Sequence, residues 1–418
     1  MMIGRRKKQF FEMVRLLREI EADQADLELV RSLNLLILKE VIRAELKQDE
    51  HRATFNKLTC QLKTGRGSKE ASRAYKTKIK RTAGFIQRYA KQIYIWKCCG
   101  DALAFIYLDK FSIKHAFYDT DDYQIKRDSG MLRGKRGLPN ELVCLFSAIE
   151  HGVPAVLCDI TNTLRYGDVC LLGASDPALI EVKSSPRQNG RGKRQAAKMK
   201  RLRDFFETDG AIGFRGKPGE TKRQVLTVAE RTNVDALNEC IIEARREGLA
   251  VSRPEPGVTY IVLNGKRPDY SEILRASMGE RQVAFILNAD KNAFAWAPYM
   301  PFILTIRDPQ HIYEFIEGDL FIIVVVSMDE LCRQMVAPGW EVQFEPDANY
   351  TIHCLHPESG AVIGISQHFV ARAGYEFISL AWIAESLIPS LVRCSEDIME
   401  FYGPQRPADI AVMRQRLF

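Results

Sequence analysis

Apolar residues recur at helical spacing through the first hundred residues, which predicts a long helical hairpin. The first arm carries a heptad-like seam, interrupted by the polar Gln24, and is expected to run to about Leu62. Residues 64–68 break the pattern, and Ser68 is a candidate N-cap for the second arm. Such a hairpin can form a homodimer, clamp nucleic acid or pack within its own chain, and the periodicity leaves these alternatives open.

The middle of the chain alternates between helical and strand patterns. An amphipathic helix is predicted at residues 140–150 and a strand at residues 155–158. Two short apolar runs then flank a turn at residues 173–177, a pattern typical of a β-hairpin. A basic segment that follows the hairpin is expected to be helical.

The remaining residues predict further mixed structure. Residues 210–222, rich in Gly, Lys and Arg, are expected to form a flexible loop near a substrate. A strand at 224–229, a helix at 234–246 and a strand at 260–263 would extend the central sheet. From about residue 265 a separate α/β region is expected, and its role is open. It includes strands at 321–326 and 361–365 and helices at 328–335 and 378–392.

Composition excludes several classes of protein. With 418 residues, 46% of them hydrophobic, the chain can form two or three domains with large cores. Its ten cysteines are scattered without a Cys-x-x-Cys pair, which fits free thiols in a reducing cytoplasm. The longest apolar runs are too short to cross a bilayer, so a cytoplasmic location and no membrane partner are expected.

Positive charge is concentrated in two blocks although the net charge is only +7. Residues 51–100 contain 13 Lys and Arg residues against the single acid Glu70, and residues 183–203 contain nine against none. Phosphate backbones bind such surfaces by releasing counterions. A solvated face or an acidic protein partner is the alternative for each block.

Asp168 and the tripeptide Glu181-Val182-Lys183 are the most informative residues. Each carboxylate belongs to one strand of the predicted hairpin, so the two can face the same point, and paired carboxylates suit a hard cation such as Mg²⁺. Alternation along a strand would place Glu181 and Lys183 on one face, where the lysine can serve an attacking water. Glu-x-Lys also occurs by chance on solvated surfaces.

Residues 137–206 resemble the PD-(D/E)xK nuclease superfamily, with Gly167 in place of the proline of the motif. The resemblance implies an α/β protein with a restriction-endonuclease-like αβββαβ core. It also assigns roles to individual residues: Asp168, Glu181 and the Val182 carbonyl would bind the metal, Lys183 would serve the water, Glu141 is the acidic residue of the first helix, and Gln195 matches a glutamine of the second helix.

Other acidic residues are alternative candidates for the metal site. Asp159 ends the predicted first strand, but its distance from Glu181 leaves room for an extra strand, so Asp168 is preferred. Asp176 and the cluster at residues 119–122 are better explained as solvated turns. Glu141 is equally well explained by the dipole at the start of its helix.

The sequence therefore predicts a metal-dependent nuclease that uses Mg²⁺, with Mn²⁺ as a substitute, and acts on DNA. Phosphate contacts are expected from Gln195, Arg194, Arg187, Ser184 and Lys198. The expected domains are a helical hairpin (1–100), a connector (101–136), the nuclease domain (137–264) and a C-terminal α/β domain whose role is open (265–418). By analogy of architecture, the protein would act in antiviral defence or restriction. An RNA nuclease, or a non-catalytic coiled-coil protein that binds nucleic acid, are the alternatives.

Overall fold

A computed structural model describes residues 3–64, 68–128, 130–183, 190–224, 226–265, 271–277, 279, 281–337, 339–345 and 350–402. The chain divides into two compact units. The first unit contains residues 1–223 and 294–304, and the second contains residues 224–293 and 305–418. The division after Arg223 differs from the boundary expected at residue 264, because the strand at residues 258–264 pairs with residues 320–327.

Three helices open the first unit: α1 (Lys7–Ala22), α2 (Leu27–Thr64) and α3 (Lys69–Tyr107). The predicted first arm is two helices, because the side chains of Asp23 and Asp26 accept backbone N–H groups at the break. Ser68 caps α3 as predicted, accepting the Ala71 N–H at 3.2 Å. The second predicted arm, α3, ends at Tyr107, beyond residue 100, where the hairpin is expected to end.

The apolar stripe of α1 and α2 is buried within the chain itself. Met13, Leu17, Val30 and Ile37 are each at most 1% exposed. This stripe is therefore intramolecular core and offers no exposed apolar seam to a second copy. Dimerisation through these helices stays a prediction, and the buried stripe does not support it.

The rest of the first unit alternates between short helices and strands. The strands β1, β2 and β3 form an antiparallel sheet in chain order, whereas β4 pairs with β5, so that the loop expected at residues 210–222 contains a hairpin. The elements are α4 (Lys110–Phe117), α5 (Leu138–Glu150), β1 (Ala155–Leu157), β2 (Val169–Leu171), β3 (Ala178–Ile180), α6 (Gly190–Thr208), β4 (Gly210–Ile212) and β5 (Glu220–Lys222).

Buried polar side chains of the long helices hold this sheet and its loops. Asn34 of α2 donates to the Ala155 carbonyl and accepts the Leu157 N–H, so it pairs with the open edge of β1. Gly100 lets α3 approach the turn after β1, since a β-carbon there would lie 2.2 Å from the Ile160 carbonyl oxygen. These contacts fix the position of the turn at residues 158–160.

Asp101 of α3 binds the segment that follows this turn. Its carboxylate accepts four hydrogen bonds of 2.7–2.9 Å, from the backbone N–H and the side chain of both Asn162 and Thr163. Burial raises the pKa of Asp101, and these hydrogen bonds oppose the rise. A buried carboxylate with four donors is thus a fixed joint between helix and loop.

The second unit contains a four-stranded antiparallel sheet in the order β6-β7-β9-β8. The expectation that a strand at 260–263 extends the central sheet is wrong, because β7 pairs along its whole length with β9. Residues 224 and 226–229 form no strand. The elements are α7 (Val234–Glu247), β6 (Leu249–Glu255), β7 (Val258–Asn264), α8 (Ser271–Ser277), β8 (Gln282–Ile286), α9 (Leu287–Asn292), α10 (Phe302–Thr305), α11 (Pro309–Glu317) and β9 (Leu320–Ser327).

The chain then continues through a second antiparallel sheet, β10-β11-β12, to a long final helix. The helix predicted at 328–335 and the strand predicted at 361–365 are present with bounds that differ by one residue, whereas the helix predicted at 378–392 continues to Tyr402. These elements are α12 (Met328–Gln334), β10 (Glu341–Phe344), β11 (Tyr350–His356), β12 (Ala361–Ser366), α13 (Gln367–Val370), α14 (Arg372–Tyr375) and α15 (Leu380–Tyr402). None of the helices described is long and apolar enough to cross a membrane.

Replacing Asp101 by alanine should lower the free energy of unfolding of the first unit by about 3 kcal/mol, because buried donors lose their acceptor. Urea unfolding followed by circular dichroism measures the change. Glu207→Ala, which removes an exposed carboxylate from α6, is the matched control and should change stability little. Equal stability of the two variants would show that Asp101 is not a structural joint.

Candidate carboxylate site

Four acidic side chains lie where the central sheet meets α5. Glu141 is in the first turn of α5, Asp159 is in the turn after β1, and Asp168 directly precedes β2. Glu181 directly follows β3. Because β2 and β3 are antiparallel neighbours, the start of one lies beside the end of the other. The fold thus brings Glu141, Asp168 and Glu181 to one region, as predicted, and adds Asp159.

The ammonium group of Lys135 lies at the centre of three of these carboxylates. Its nitrogen is 2.7 Å from Asp159 Oδ2, 2.9 Å from Asp168 Oδ1 and 2.9 Å from Glu141 Oε1. These hydrogen bonds raise the pKa of Lys135 above its ordinary value, although burial acts to lower it. Lys135 therefore supplies the positive charge that a metal cation would supply among the same oxygens.

Glu141 is the most buried member of the cluster. Its residue is 2% exposed, and its Oε2 atom is buried without a hydrogen-bond partner. Burial raises the pKa of Glu141, and the neighbouring Asp168 raises it further, whereas Lys135 lowers it. A buried carboxylate oxygen without a donor is costly, and it is a free ligand for a cation. This contact set goes beyond a helix-dipole role for Glu141.

Glu181 borders the cluster and is bound by the predicted glutamine. Gln195 of α6 donates to Glu181 Oε2 at 2.9 Å. Burial, followed by the charge of Asp168, raises the pKa of Glu181. Gln195 thus holds a carboxylate of the site, which is a different contact from the phosphate contact that was expected of it.

The Glu-x-Lys tripeptide lies outside β3, so the expected strand alternation across it is wrong. The strand ends at Ile180, and the next N–H available to the ladder, that of Val182, donates to Asp168 Oδ2 at 2.9 Å. A side chain thus takes the place of a backbone acceptor and ends the pairing. For Val182, the contact seen is this N–H donation; metal binding by its carbonyl stays a prediction.

Gly167 explains the departure from the motif's proline. Its φ is +70°, a conformation that glycine adopts readily and proline cannot. A β-carbon at this position would lie 2.7 Å from the Ile180 carbonyl oxygen. That same carbonyl accepts the Asp168 N–H at 2.7 Å. The backbone approach that positions Asp168 against β3 therefore requires glycine here.

A cleft of about 870 Å³ opens beside the cluster. Lys126 lies on its wall, where burial lowers the pKa of the ammonium to about 8. The Lys126 ammonium lies 3.6 Å from the centroid of the Tyr166 ring, in a cation–π contact, and donates to the Arg165 carbonyl. The cleft is also lined by Asp119, Asp121, Gln124, Arg127, Asp128, Lys135, Asp159, Asp168, Glu181, Arg194, Gln195 and Lys198.

The predicted phosphate-binding residues differ in their surroundings. Arg194 is exposed and lines the cleft, as its role requires. Lys198 instead pairs with Asp119 at 2.6 Å and Asp121 at 2.8 Å, so these two aspartates are not merely solvated turn residues. Lys183 is exposed, and its role is still a prediction. Ser184 and Arg187 lie outside the described residues.

Lys135 was not predicted from the sequence, and the assignment of Asp176 to a solvated turn is wrong. Asp176 accepts from Ser112 and from Arg223, at 2.6–2.9 Å, instead of being a solvated turn residue. Lys135 belongs to the basic segment Gly134-Lys135-Arg136-Gly137, whose composition does not indicate three acidic neighbours. The available signal was a lysine six residues before Glu141 at the start of a predicted helix, and this signal is weak.

In the described part of the chain, no three His, Cys, Asp or Glu side chains surround a space that could take a metal ion as they stand. The carboxylates of Glu141, Asp159 and Asp168 instead surround the Lys135 ammonium. No family model, curated protein or solved structure matches this chain. The site therefore has to be interpreted from its own residues.

The raised pKa of Glu141 has a consequence for stability. A carboxyl whose pKa is higher in the folded state stabilises the fold below its unfolded value of 4.5, and this contribution is lost as pH rises through the folded pKa. Glu141→Gln should therefore gain stability relative to the wild type as pH increases from about 5 to about 7.5. Urea unfolding in EDTA at both pH values measures the difference, and a gap that shrinks with pH would contradict the assignment.

Proposed function

We propose that this protein is a metal-dependent nuclease that hydrolyses phosphodiester bonds, with DNA as its substrate. The observation that carries the proposal is the convergence of Glu141, Asp159 and Asp168, with Glu181 beside them, at the edge of an open cleft. Like charges are gathered in this way where a cation is to be bound. The chemistry follows from the donor set and from what lines the cleft.

The donor set fits Mg²⁺. All four side chains offer carboxylate oxygens, which hard divalent cations prefer, and the buried Glu141 Oε2 has no other partner. Asp168 and Glu181 would hold the ion, with Glu141 and Asp159 supporting it. When bound, such an ion lowers the pKa of a bound water and offsets charge on the phosphate. Mn²⁺ is expected to substitute because it accepts the same ligands.

The residues of the chain have the remaining tasks. Gln195 holds Glu181 in place through its 2.9 Å hydrogen bond. Lys183, exposed and two residues from Glu181, is the candidate for orienting the attacking water, and Arg194 is positioned on the cleft wall to meet a phosphate. Lys126 adds a second cation near Glu181.

The order of elements supports a PD-(D/E)xK-like core. From Leu138 to Ile212 the chain runs α5, β1, β2, β3, α6, β4, which is the αβββαβ order of the superfamily. The likeness is limited to that order, since β4 pairs with β5 and not with the three-stranded sheet. The element order supports the proposed class but does not identify a substrate.

Two basic surfaces support nucleic acid as the substrate. One is α6, whose residues Lys193, Arg194, Lys200 and Arg203 are exposed. The other, which we call the basic arm, is the part of α2 and α3 between residues 51 and 91. Its exposed cations are Lys57, Lys63, Lys69, Arg73, Lys76, Lys78, Lys80, Arg81 and Arg88.

The cations of the basic arm are available to a polyanion. Among the described residues, none of these nine side chains pairs with a carboxylate. Lys69, Arg73, Lys76 and Lys80 recur at spacings of four, three and four residues, so they form one stripe on α3. A rigid basic stripe of this kind suits a phosphate backbone.

A cleavage assay tests the proposed activity. Purified protein is incubated with supercoiled plasmid, linear duplex, single-stranded DNA and RNA, each with Mg²⁺, Mn²⁺ or EDTA. Asp168→Ala and Glu181→Ala should each reduce the rate on the order of a thousandfold, which corresponds to about 4 kcal/mol of activation free energy. Glu207→Ala, an exposed carboxylate of α6, should cleave like the wild type.

Each outcome of this assay has a distinct meaning. Preferential cleavage of RNA would replace DNA as the substrate within the same mechanism. Cleavage that is unaffected by loss of Asp168 and Glu181 would place the activity elsewhere or in a contaminant. Metal-independent binding without any cleavage would favour a non-catalytic nucleic-acid-binding protein. A role in antiviral defence or restriction would need a separate test in phage-infected cells.

A salt series tests the basic arm. The double variant Lys69→Gln, Lys76→Gln should bind duplex DNA on the order of tenfold more weakly at low salt, and the slope of log affinity against log salt should fall by about 1–2. Fluorescence anisotropy in EDTA measures binding without cleavage. Lys8→Gln, Lys39→Gln, which removes two exposed lysines outside the arm, is the matched control. Identical slopes for the two double variants would show that the arm does not contact DNA.

A further inference from the structure

We propose that a divalent cation enters this site by exchange with the ammonium group of Lys135, which is the resting counter-charge of the carboxylate cluster. The inference rests on the proposed metal-dependent function and goes beyond it, because it makes metal binding a competition within the protein. Three observations support it: the geometry around the nitrogen, the charge balance of the cluster and the attachment of the lysine to its loop.

The geometry leaves room for one cation at a time. Lys135 Nζ has three N–H donors, and each faces a carboxylate from a different segment of the chain, at 2.7–2.9 Å. The point that these three oxygens share is the point that a cation would take. Mg²⁺ draws its oxygen ligands to about 2.0–2.1 Å, so an ion and the ammonium cannot occupy this point together.

The charge balance favours exchange over addition. Glu141, Asp159 and Asp168 carry three negative charges when ionised, and Lys135 offsets only one of them. A divalent cation offsets two, and the neighbouring Glu181 supplies a further carboxylate. The orphaned Glu141 Oε2 is satisfied by neither Lys135 nor another donor. The cluster is therefore incompletely neutralised by lysine and has a better match in a divalent ion.

The lysine can leave the cluster without leaving the site. Its side chain is 27% exposed and borders the cleft, so the ammonium has a path into open space. Its loop is held in place because Glu45 of α2 accepts the N–H groups of Leu132 and Arg133 at 3.1 and 2.8 Å. A tethered competitor has a high effective concentration, which lowers the apparent affinity for metal. The released ammonium stays beside the cleft, where a phosphate would lie.

The alternative is that Lys135 keeps its three ion pairs at all times and only stabilises the position of its loop. In that case removal of the ammonium would destabilise the fold and would leave the metal affinity unchanged or reduced. Exchange predicts the opposite for affinity. The two cases are therefore separated by a measurement of metal binding that involves no cleavage.

The first experiment measures Mn²⁺ binding by calorimetry and by the loss of the free-ion electron paramagnetic resonance signal. Lys135→Gln should bind Mn²⁺ at least about tenfold more tightly than the wild type, a gain of about 1.4 kcal/mol. Arg127→Gln is the matched control, since it removes one exposed positive charge from the wall of the same cleft. Its affinity should change only a few-fold. Equal affinities of the two variants would overturn the exchange.

The second experiment uses the wild-type protein, so it does not depend on the folding of a variant. Acylation of lysine amines by an amine-reactive ester is quantified by peptide mass spectrometry with and without Mn²⁺. Lys135 should become several-fold more reactive when the metal binds, because its amine leaves three ion pairs. Binding of Mn²⁺ with unchanged Lys135 reactivity would overturn the exchange and leave the nuclease proposal intact. Failure of every protein to bind Mn²⁺ would overturn both.

Discussion

Three ionised carboxylates are brought to one point inside a protein only at a high cost in free energy unless a cation lies between them. Charges a few ångströms apart repel strongly where water is partly excluded, and the desolvation of each carboxylate adds to that cost. In this chain the compensating charge is Lys135, and its nitrogen is within 2.9 Å of Glu141, Asp159 and Asp168. The remaining architecture of the first unit serves to hold these four residues together, since each belongs to a different segment.

The long N-terminal helices provide that support through a few polar residues on otherwise apolar faces. Asn34 completes the edge of β1, Glu45 holds the loop that carries Lys135, and Asp101 binds the segment after the turn that carries Asp159. All three are buried. Polar groups in such positions are costly unless their partners are in place, so they favour one arrangement of the loops over others. The helices are therefore part of the site's construction as well as the surface proposed to bind nucleic acid.

The predictable part of the site was local. The spacing of Asp168 and Glu181 follows from a hairpin of two adjacent strands, and the positions of Glu141 and Gln195 follow from helices that flank it. Lys135 was not predicted and Asp159 was ranked below Asp168, because their contacts depend on how helices distant in sequence hold the loops. The strand at residues 258–264 was assigned to the wrong sheet for the same reason. Its partner, Leu320–Ser327, is distant in sequence, and the apolar pattern of a strand does not indicate which strand pairs with it.

The glycine before Asp168 limits how this site can be recognised and how it can change. Position 167 combines a backbone turn open to glycine with a carbonyl oxygen that leaves no room for a methyl group. A substitution by any other amino acid would have to separate the two strands whose registration aligns the acidic residues. The proline of the motif that residues 137–206 resemble is therefore incompatible with this backbone. At this position the backbone conformation is the constrained feature, and glycine is the residue that satisfies it.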